Sequence, residues 1–315
     1  DNTGVEYYAT IFAVDESPLQ EGLIWVGSDD GLIHLTKDGG ATWENVTPKK
    51  MPDWMMINSI DASSFDSGTA YIAGTRYKLG DFTPYLYVTD DYGKNWKLIT
   101  NGIKDEHFTR VLRSDKVNKN ILYAGTETGM YISYDRGNSW NEFQKNLPIV
   151  PITDLTIKDN SLIVATQGRS IWMIDDLTVF HQLTPSTDQI KLYKPKDSYR
   201  MGGAGGRKSL TAGTNLPNGT IIHYFIPNYV KDNDQVKLSI HSADGALIKE
   251  FSNKSKENSL KVKNGGNSFV WNMKYPGAKQ LENMVLWGID FSGAKAVPGN
   301  YIVKLKVNDT ELTQE

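Results

Sequence analysis

Apolar and polar residues alternate in short runs along the first half of the chain, and the runs come in groups of four. Tyr7–Val14 alternates like a strand with one face buried. Gly22–Gly27, Gly-Leu-Ile-Trp-Val-Gly, has the length and composition of a buried strand. Leu32–Leu35 and Trp43–Val46 complete the first group. The pattern returns as Ile57–Ala62, Ala70–Gly74, Tyr85–Val88 and Trp96–Ile99. It returns again as Phe108–Arg113, Ile121–Gly125, Met130–Ile132 and Trp140–Phe143. A fourth group runs through Ile152–Ile157, Leu162–Ala165 and Ile171–Ile174 to Val179–Leu183. The predicted strands of each group are A to D in chain order.

Between C and D, three groups carry the same turn. Leu35–Trp43 reads Leu-Thr-Lys-Asp-Gly-Gly-Ala-Thr-Trp, Val88–Trp96 reads Val-Thr-Asp-Asp-Tyr-Gly-Lys-Asn-Trp, and Ile132–Trp140 reads Ile-Ser-Tyr-Asp-Arg-Gly-Asn-Ser-Trp. All fit Ser/Thr-x-Asp-x-Gly-x-Thr/Ser/Asn-Trp, with Asp38, Asp91 and Asp135 spaced 53 and 44 residues apart. Each position suits a hairpin. The carboxylate accepts N–H groups of its own turn, the glycine supplies positive φ, and the first hydroxyl bonds locally. The tryptophans Trp43, Trp96 and Trp140 are expected to close the hairpins by packing under the sheet. These residues are therefore read as structural.

Repeats of this length with four strands each predict an all-β fold of four β-propeller blades. The fourth group has lost the turn, since Asp175-Asp176-Leu177 lacks both Gly and Trp. The first group opens on its A strand, with no additional strand to close a ring of four. We therefore expect these blades to be part of a larger propeller, the others lying on upstream sequence or another chain.

After Leu183 the period disappears. Met201–Gly219 is rich in glycine and reads as a long loop. Strands resume at Thr220–Ile226, then Val236–Ile240 and Ala246–Phe251 around an Asp244-Gly245 turn. Ser259–Val262, Phe269–Met273 and Tyr301–Val307 follow, the last entered through Pro298-Gly299-Asn300. This predicts an immunoglobulin- or fibronectin-like β-sandwich. The expected organisation is blades over 1–185, a linker and Gly-rich loop over 186–219, and a sandwich over 220–315.

Composition narrows the chemistry. The net charge of −3 points to no nucleic-acid partner. Cysteine is absent, which removes disulfides, thiolate metal sites and thiol nucleophiles. The five histidines are dispersed without zinc spacing, and Asp232-Asn233-Asp234 lacks the Gly of a calcium loop. Gly202–Arg207 is glycine-rich but is not placed between a strand and a helix, so it is not a phosphate cradle. No cofactor or metal is expected, and no apolar run has transmembrane length.

The three turns, the run Gly22–Gly31 and Ala165–Asp176 resemble those of bacterial BNR/Asp-box proteins related to the sortilin (Vps10) N-terminal propeller. They are more distantly similar to the xyloglucan-active two-propeller glycoside hydrolases. Residues 236–307 resemble FlgD-like immunoglobulin modules, through Val-Lys-Leu-Ser-Ile, Phe-Val-Trp-Asn-Met and Pro-Gly-Asn-Tyr-Ile-Val-Lys-Leu. The resemblance implies a secreted, periplasmic or outer-membrane-associated bacterial protein. It does not imply one activity, because propellers host receptors and hydrolases alike.

Strand order sorts the loops by face. The Asp-box turns join C to D, so the B–C and D–A loops lie at the opposite end. There Thr75–Pro84 is longer than its siblings and carries Arg76, Tyr77, Lys78 and Asp81. Trp54, His107 and Arg169 lie on the same face. Aromatic faces beside charges suit a glycan or a polypeptide, and ligand binding through this face is the expected function. The alternative is a glycoside hydrolase, which needs two carboxylates across one cleft. Asp29, Asp30, Asp81, Asp105, Glu106 and Glu127 are the candidates, and none forms a distinctive pair.

Overall fold

The β-branched and aromatic runs form the strands of a nearly all-β chain. It is seen here in a computed structural model that describes residues 9–183, 188–201, 216–278 and 291–315. The chain divides into two compact units between Leu177 and Thr178.

The first unit is a series of propeller blades. Blade 1 is an antiparallel sheet of β1 (Ile11–Glu16), β2 (Ile24–Ser28), β3 (Ile33–Thr36) and β4 (Glu44–Asn45), in that spatial order. Blade 2 repeats it with β5 (Met56–Ala62), β6 (Ala70–Arg76), β7 (Asp81–Thr89) and β8 (Lys97–Leu98). Blade 3 follows with β9 (Thr109–Ser114), β10 (Leu122–Thr126), β11 (Gly129–Ser133) and β12 (Asn141–Glu142). Blade 4 has three strands, β13 (Ile152–Lys158), β14 (Ser161–Thr166) and β15 (Ile171–Ile174). Its expected fourth strand, Val179–Leu183, is not a strand. Thr178–Gln182 forms the short helix α1 instead. A five-residue apolar stretch fits either element, and only tertiary context decides between them.

Register shows which residues are equivalent. Asp15, Trp25 and Leu35 share a row across blade 1. Asp61, Tyr71 and Val88 occupy that row in blade 2, and Arg113, Tyr123 and Ile132 in blade 3. This row faces the following blade: Trp25 and Leu35 share a core with Ile57 and Ile60, and Tyr71 and Val88 share one with Leu112. The neighbouring row of first-strand residues, Ile60, Leu112 and Leu155, faces the preceding blade, and Val14 holds the equivalent position in blade 1. Blades meet in chain order, β1 and β2 on β5, β6 on β9, and β9 and β10 on β13.

Two glycines set the spacing. A Cβ at Gly27 would lie 2.4 Å from Ile57 Cγ2, and one at Gly125 would lie 2.6 Å from Ile152 Cγ2. The next blade's first isoleucine occupies the space a side chain would need. Polar contacts fasten the same interfaces. Asp15 Oδ2 accepts the Ala62 N–H at 2.7 Å, and Asp61 Oδ2 accepts the Ser114 N–H at 2.8 Å. Burial, only partly offset by the Ala62 N–H, raises the Asp15 carboxyl above the usual range. At the third interface the contact becomes an ion pair, Arg113 Nη2 to Asp154 Oδ1 at 3.0 Å.

The second unit is a two-sheet sandwich. One sheet has the order β16 (Lys191–Leu192), β17 (Thr220–Ile226), β20 (Gly265–Trp271). The other has β19 (Leu247–Ser252), β18 (Val236–Ser242), β21 (Tyr301–Val307), β22 (Thr310–Gln314). Ile222, Tyr224 and Trp271 of the first sheet share a core with Leu238, Ile240 and Leu305 of the second. Lys191–Leu192, expected in the linker, is a strand of this unit. Ser259–Val262 is not a strand and contributes only an isolated bridge from Ser259 to Ser252. Most of the Gly-rich loop, 202–215, lies outside the described residues.

Candidate functional site

Sequential antiparallel pairing puts the A–B and C–D turns at one end of each blade and the B–C and D–A connections at the other. The two ends differ in what their polar groups do.

At the C–D end each box closes on itself. Thr36 Oγ1 donates to Asp38 Oδ1 at 2.7 Å and accepts the Gly40 N–H at 2.9 Å. Asp38 also accepts the Thr42 N–H at 2.9 Å and the Thr42 hydroxyl at 2.6 Å. Thr89, Asp91, Gly93 and Asn95 repeat the scheme, as do Ser133, Asp135, Gly137 and Ser139. The Thr42 hydroxyl, its N–H and Thr36 hold the Asp38 carboxyl down at about 2. The Asn95 N–H and amide depress Asp91. Burial would raise Asp135, but bonds from Ser139 and Ser133 outweigh it and the net shift is downward. These carboxylates are consumed by their own turns. Two of the tryptophans differ from expectation and reach backwards to the previous blade. Trp96 Nε1 donates to Val46 O at 2.7 Å, and Trp140 Nε1 donates to Ile99 O at 2.6 Å.

At the opposite end, the long B–C segment of blade 2 is an extension of the sheet. β6 and β7 continue past their neighbours, Arg76 pairs with Asp81, and a single 3-10 turn, Tyr77–Leu79, closes the hairpin at Gly80 (φ 74°). Asp81 is the hub. It sits 2.7 Å from Arg76 Nη1, accepts the Tyr85 hydroxyl at 2.8 Å and accepts the Thr83 N–H at 3.1 Å. Burial acts to raise its pKa, but the bonds from Thr83, Tyr85 and Arg76 prevail and keep it below the usual carboxylate range. Arg76 Nε also donates to Asp53 O, which ties the turn carrying Trp54 to the hairpin.

The hairpin leans on blade 3. Tyr77 stacks on Phe108, with ring centroids 5.3 Å apart and planes 16° from parallel, and Phe82 lies 5.9 Å from Phe108. The Arg110 guanidinium stands over Tyr77 and Phe108 and is held by Glu127 at 2.6 Å. Trp54, Leu79 and Phe82 remain largely exposed around this stack, and Lys78 is exposed on the turn.

Of the residues singled out from the sequence, Arg76, Tyr77, Lys78, Asp81 and Trp54 come together here. His107 belongs to the next connection, where its Nδ1 is 2.8 Å from the Tyr131 hydroxyl. Burial, followed by the Lys104 charge, lowers its pKa. Arg169 is in blade 4, with blade 3 between it and the hairpin, and its Nη1 donates to Gly168 O. Sequence reasoning does not single out Phe82, Phe108 or Arg110. The available signal is slight: Phe108 and Arg110 alternate two apart at the start of a strand.

Four of the six candidate acids, Asp81 among them, have local partners. Asp29 accepts the Thr10 N–H at 2.9 Å, Asp30 bonds the Ser28 hydroxyl, and Glu127 is engaged by Arg110. Asp105 and Glu106 are sequence neighbours on one exposed turn, too close along the chain to face each other across a cleft.

No family model matches the chain, and no curated protein matches it. Solved structures do. The chain is similar to YCF48 bound to D1 peptide, at 20% identity over 53% of this chain and 52% of that one, TM-score 0.42. It is similar to YCF48 from Cyanidioschyzon merolae, at 15% identity over 72% and 69%, TM-score 0.40. It is also similar to the GH74 xyloglucanase from Xanthomonas campestris, at 13% identity over 78% and 36%, TM-score 0.41. The chain thus spans 52% of the first of these structures. The assignment to propeller blades rests on the sheets described above.

Proposed function

We propose that the first unit is a binding module whose contact surface is the platform made by the blade 2 hairpin and the start of blade 3, and that its ligand is a polypeptide. The observation that carries this reading is the division of labour on this face. Asp81, Glu127, Asp29 and Asp30 are engaged by groups of the fold, while Trp54, Leu79 and Phe82 are exposed. A glycosidase needs one carboxyl raised to act as an acid, and Asp81 is shifted the other way. A glycan site needs acceptors aimed at hydroxyls, and these acceptors are already bonded. Exposed aromatic and aliphatic side chains rimmed by Lys78 and the Arg76 and Arg110 ion pairs suit a peptide with apolar anchors and an acidic flank.

Phage selection of peptides against the full chain, followed by solution affinities, tests this. Trp54→Ala and Phe82→Ser should each weaken selected peptides by roughly tenfold or more, as hot-spot truncations do, with unchanged melting temperature. A glycan-array hit lost in the same variants would replace the polypeptide with a sugar. Turnover of xyloglucan oligosaccharides abolished by Asp81→Asn would establish the hydrolase instead.

A further inference from the structure

The four blades are not equivalent in what covers them. Blades 2 and 3 each receive four things from the blade before. The first is an apolar cover on the first strand: Ile57 and Ile60 in blade 2, and Thr109 and Leu112 in blade 3, are buried, as are Ile152 and Leu155 in blade 4. The second is a carbonyl for the box tryptophan, Val46 O for Trp96 and Ile99 O for Trp140. The third is a β-branched side chain against the box glycine, since a Cβ at Gly93 would lie 2.6 Å from Val46 Cβ and one at Gly137 would lie 2.6 Å from Ile99 Cδ1. The fourth is a carboxylate for a first-strand N–H, Asp15 for Ala62 and Asp61 for Ser114.

Blade 1 has the receiving half of this interface, and among the described residues nothing lies on it. Ile11 is 62% exposed and Val14 60%. Trp43 is 47% exposed, against 4% for Trp140. A Cβ at Gly40 would meet only its own Trp43 within 4 Å. Local sequence does not explain the difference, because Ile11 and Val14 match Ile57 and Ile60, and the box is complete. What differs is the neighbour.

We infer that the open face of blade 1 docks a further Asp-box blade, distinct from these four. The two interfaces onto blades 2 and 3 state its chemistry. Its fourth strand ends in Val or Ile, whose carbonyl takes the Trp43 indole N–H. Its second strand carries Gly or Ala where Ile11 seats. Its first strand carries an Asp that accepts the Glu16 N–H. Blade 4 of a second copy does not meet this description. It has no fourth strand among the described residues, and Asp154 and Thr156 stand where blades 1 and 2 have Ala13 and Asp15 or Ser59 and Asp61.

The chain lacks cysteine, so Val14→Cys places a unique thiol on the open face. The test adds a second copy of residues 10–56 directly before Ile11, which keeps the natural spacing between blades 1 and 2. Maleimide labelling of this thiol in the original blade should slow by about tenfold or more relative to the unextended chain, because labelling then requires local opening. The melting temperature should rise. Gly27→Leu in the added copy, which fills the seat of Ile11, should restore fast labelling. Equal labelling with and without the added blade, in an extended chain whose hydrogen exchange shows the copy folded, overturns the inference. A dimer of the unextended chain in which the introduced thiol is already protected overturns it as well, in favour of a second copy.

Discussion

Trp140 and Trp43 end the same nine-residue motif, yet one is sealed inside the protein and the other stands half in solvent. Around them the boxes are nearly identical. Ser133, Asp135 and Ser139 make the same bonds as Thr36, Asp38 and Thr42, at distances that agree closely. The comparison separates two jobs that the motif performs. Closing the turn is local and is complete in either blade. Building the core between blades is not local, and it requires a predecessor.

The largest expected effect breaks the symmetry between the two tryptophans. Trp140→Ala removes a buried ring and its bond to Ile99 O, and should cost about 3–5 kcal/mol. Trp43→Ala should change stability by only about 0.5–1 kcal/mol, the scale of a half-exposed site away from the core. Urea unfolding of the two variants measures the contrast. Equal losses would mean that Trp43 is covered in solution. A smaller effect concerns the seats between blades. Gly125→Ala forces a methyl against Ile152 and Val111 and should cost about 1–3 kcal/mol, the usual range for overpacking. The reverse change in blade 4, Ala165→Gly, at a partly buried position, should cost no more than about 1 kcal/mol, through chain entropy.

The smallest effect tests whether the box is self-contained. A carboxyl whose folded pKa is depressed stabilises the fold above its unfolded pKa, and that stabilisation is lost as pH falls through the folded value. For Asp38 the window runs from about 3.9, the unfolded reference, down to about 2. Carboxyl NMR should find Asp38 titrating at about 2 in blade 1 although no described blade precedes it. Thr42→Val should move it up towards the ordinary range. A wild-type Asp38 titrating near the unfolded reference would show that the turn depends on a preceding blade after all.

What can be read in advance follows the same division. The boxes, the four-strand groups and the face opposite the turns depend on contacts within about twenty residues, and local pattern carries such information. The backward reach of Trp96 to Val46 spans 50 residues and leaves no local trace. Thr75–Pro84 reads as a loop because Gly80 and Pro84 punctuate it. The pairing of Arg76 with Asp81, which makes it a hairpin, depends on how far β6 and β7 extend. Phe108 and Arg110 matter to the candidate site only because the hairpin of another blade leans on them. The helix at Thr178–Gln182 escapes the pattern because Val179 and Phe180 satisfy a strand as well as a helix.

One detail of the box bears on how such repeats diverge. The indole N–H of Trp96 and of Trp140 is satisfied by a main-chain carbonyl of the preceding blade, and every residue type provides a carbonyl. Mutation of the side chain at that position leaves the acceptor in place. A duplicated blade therefore arrives with this acceptor already present, and the side chain at that position answers only to its packing on the next box glycine, as Val46 does on Gly93 and Ile99 on Gly137. The three boxes retain one pattern while the residues between them share little, as expected of units whose joint includes a group that mutation does not alter.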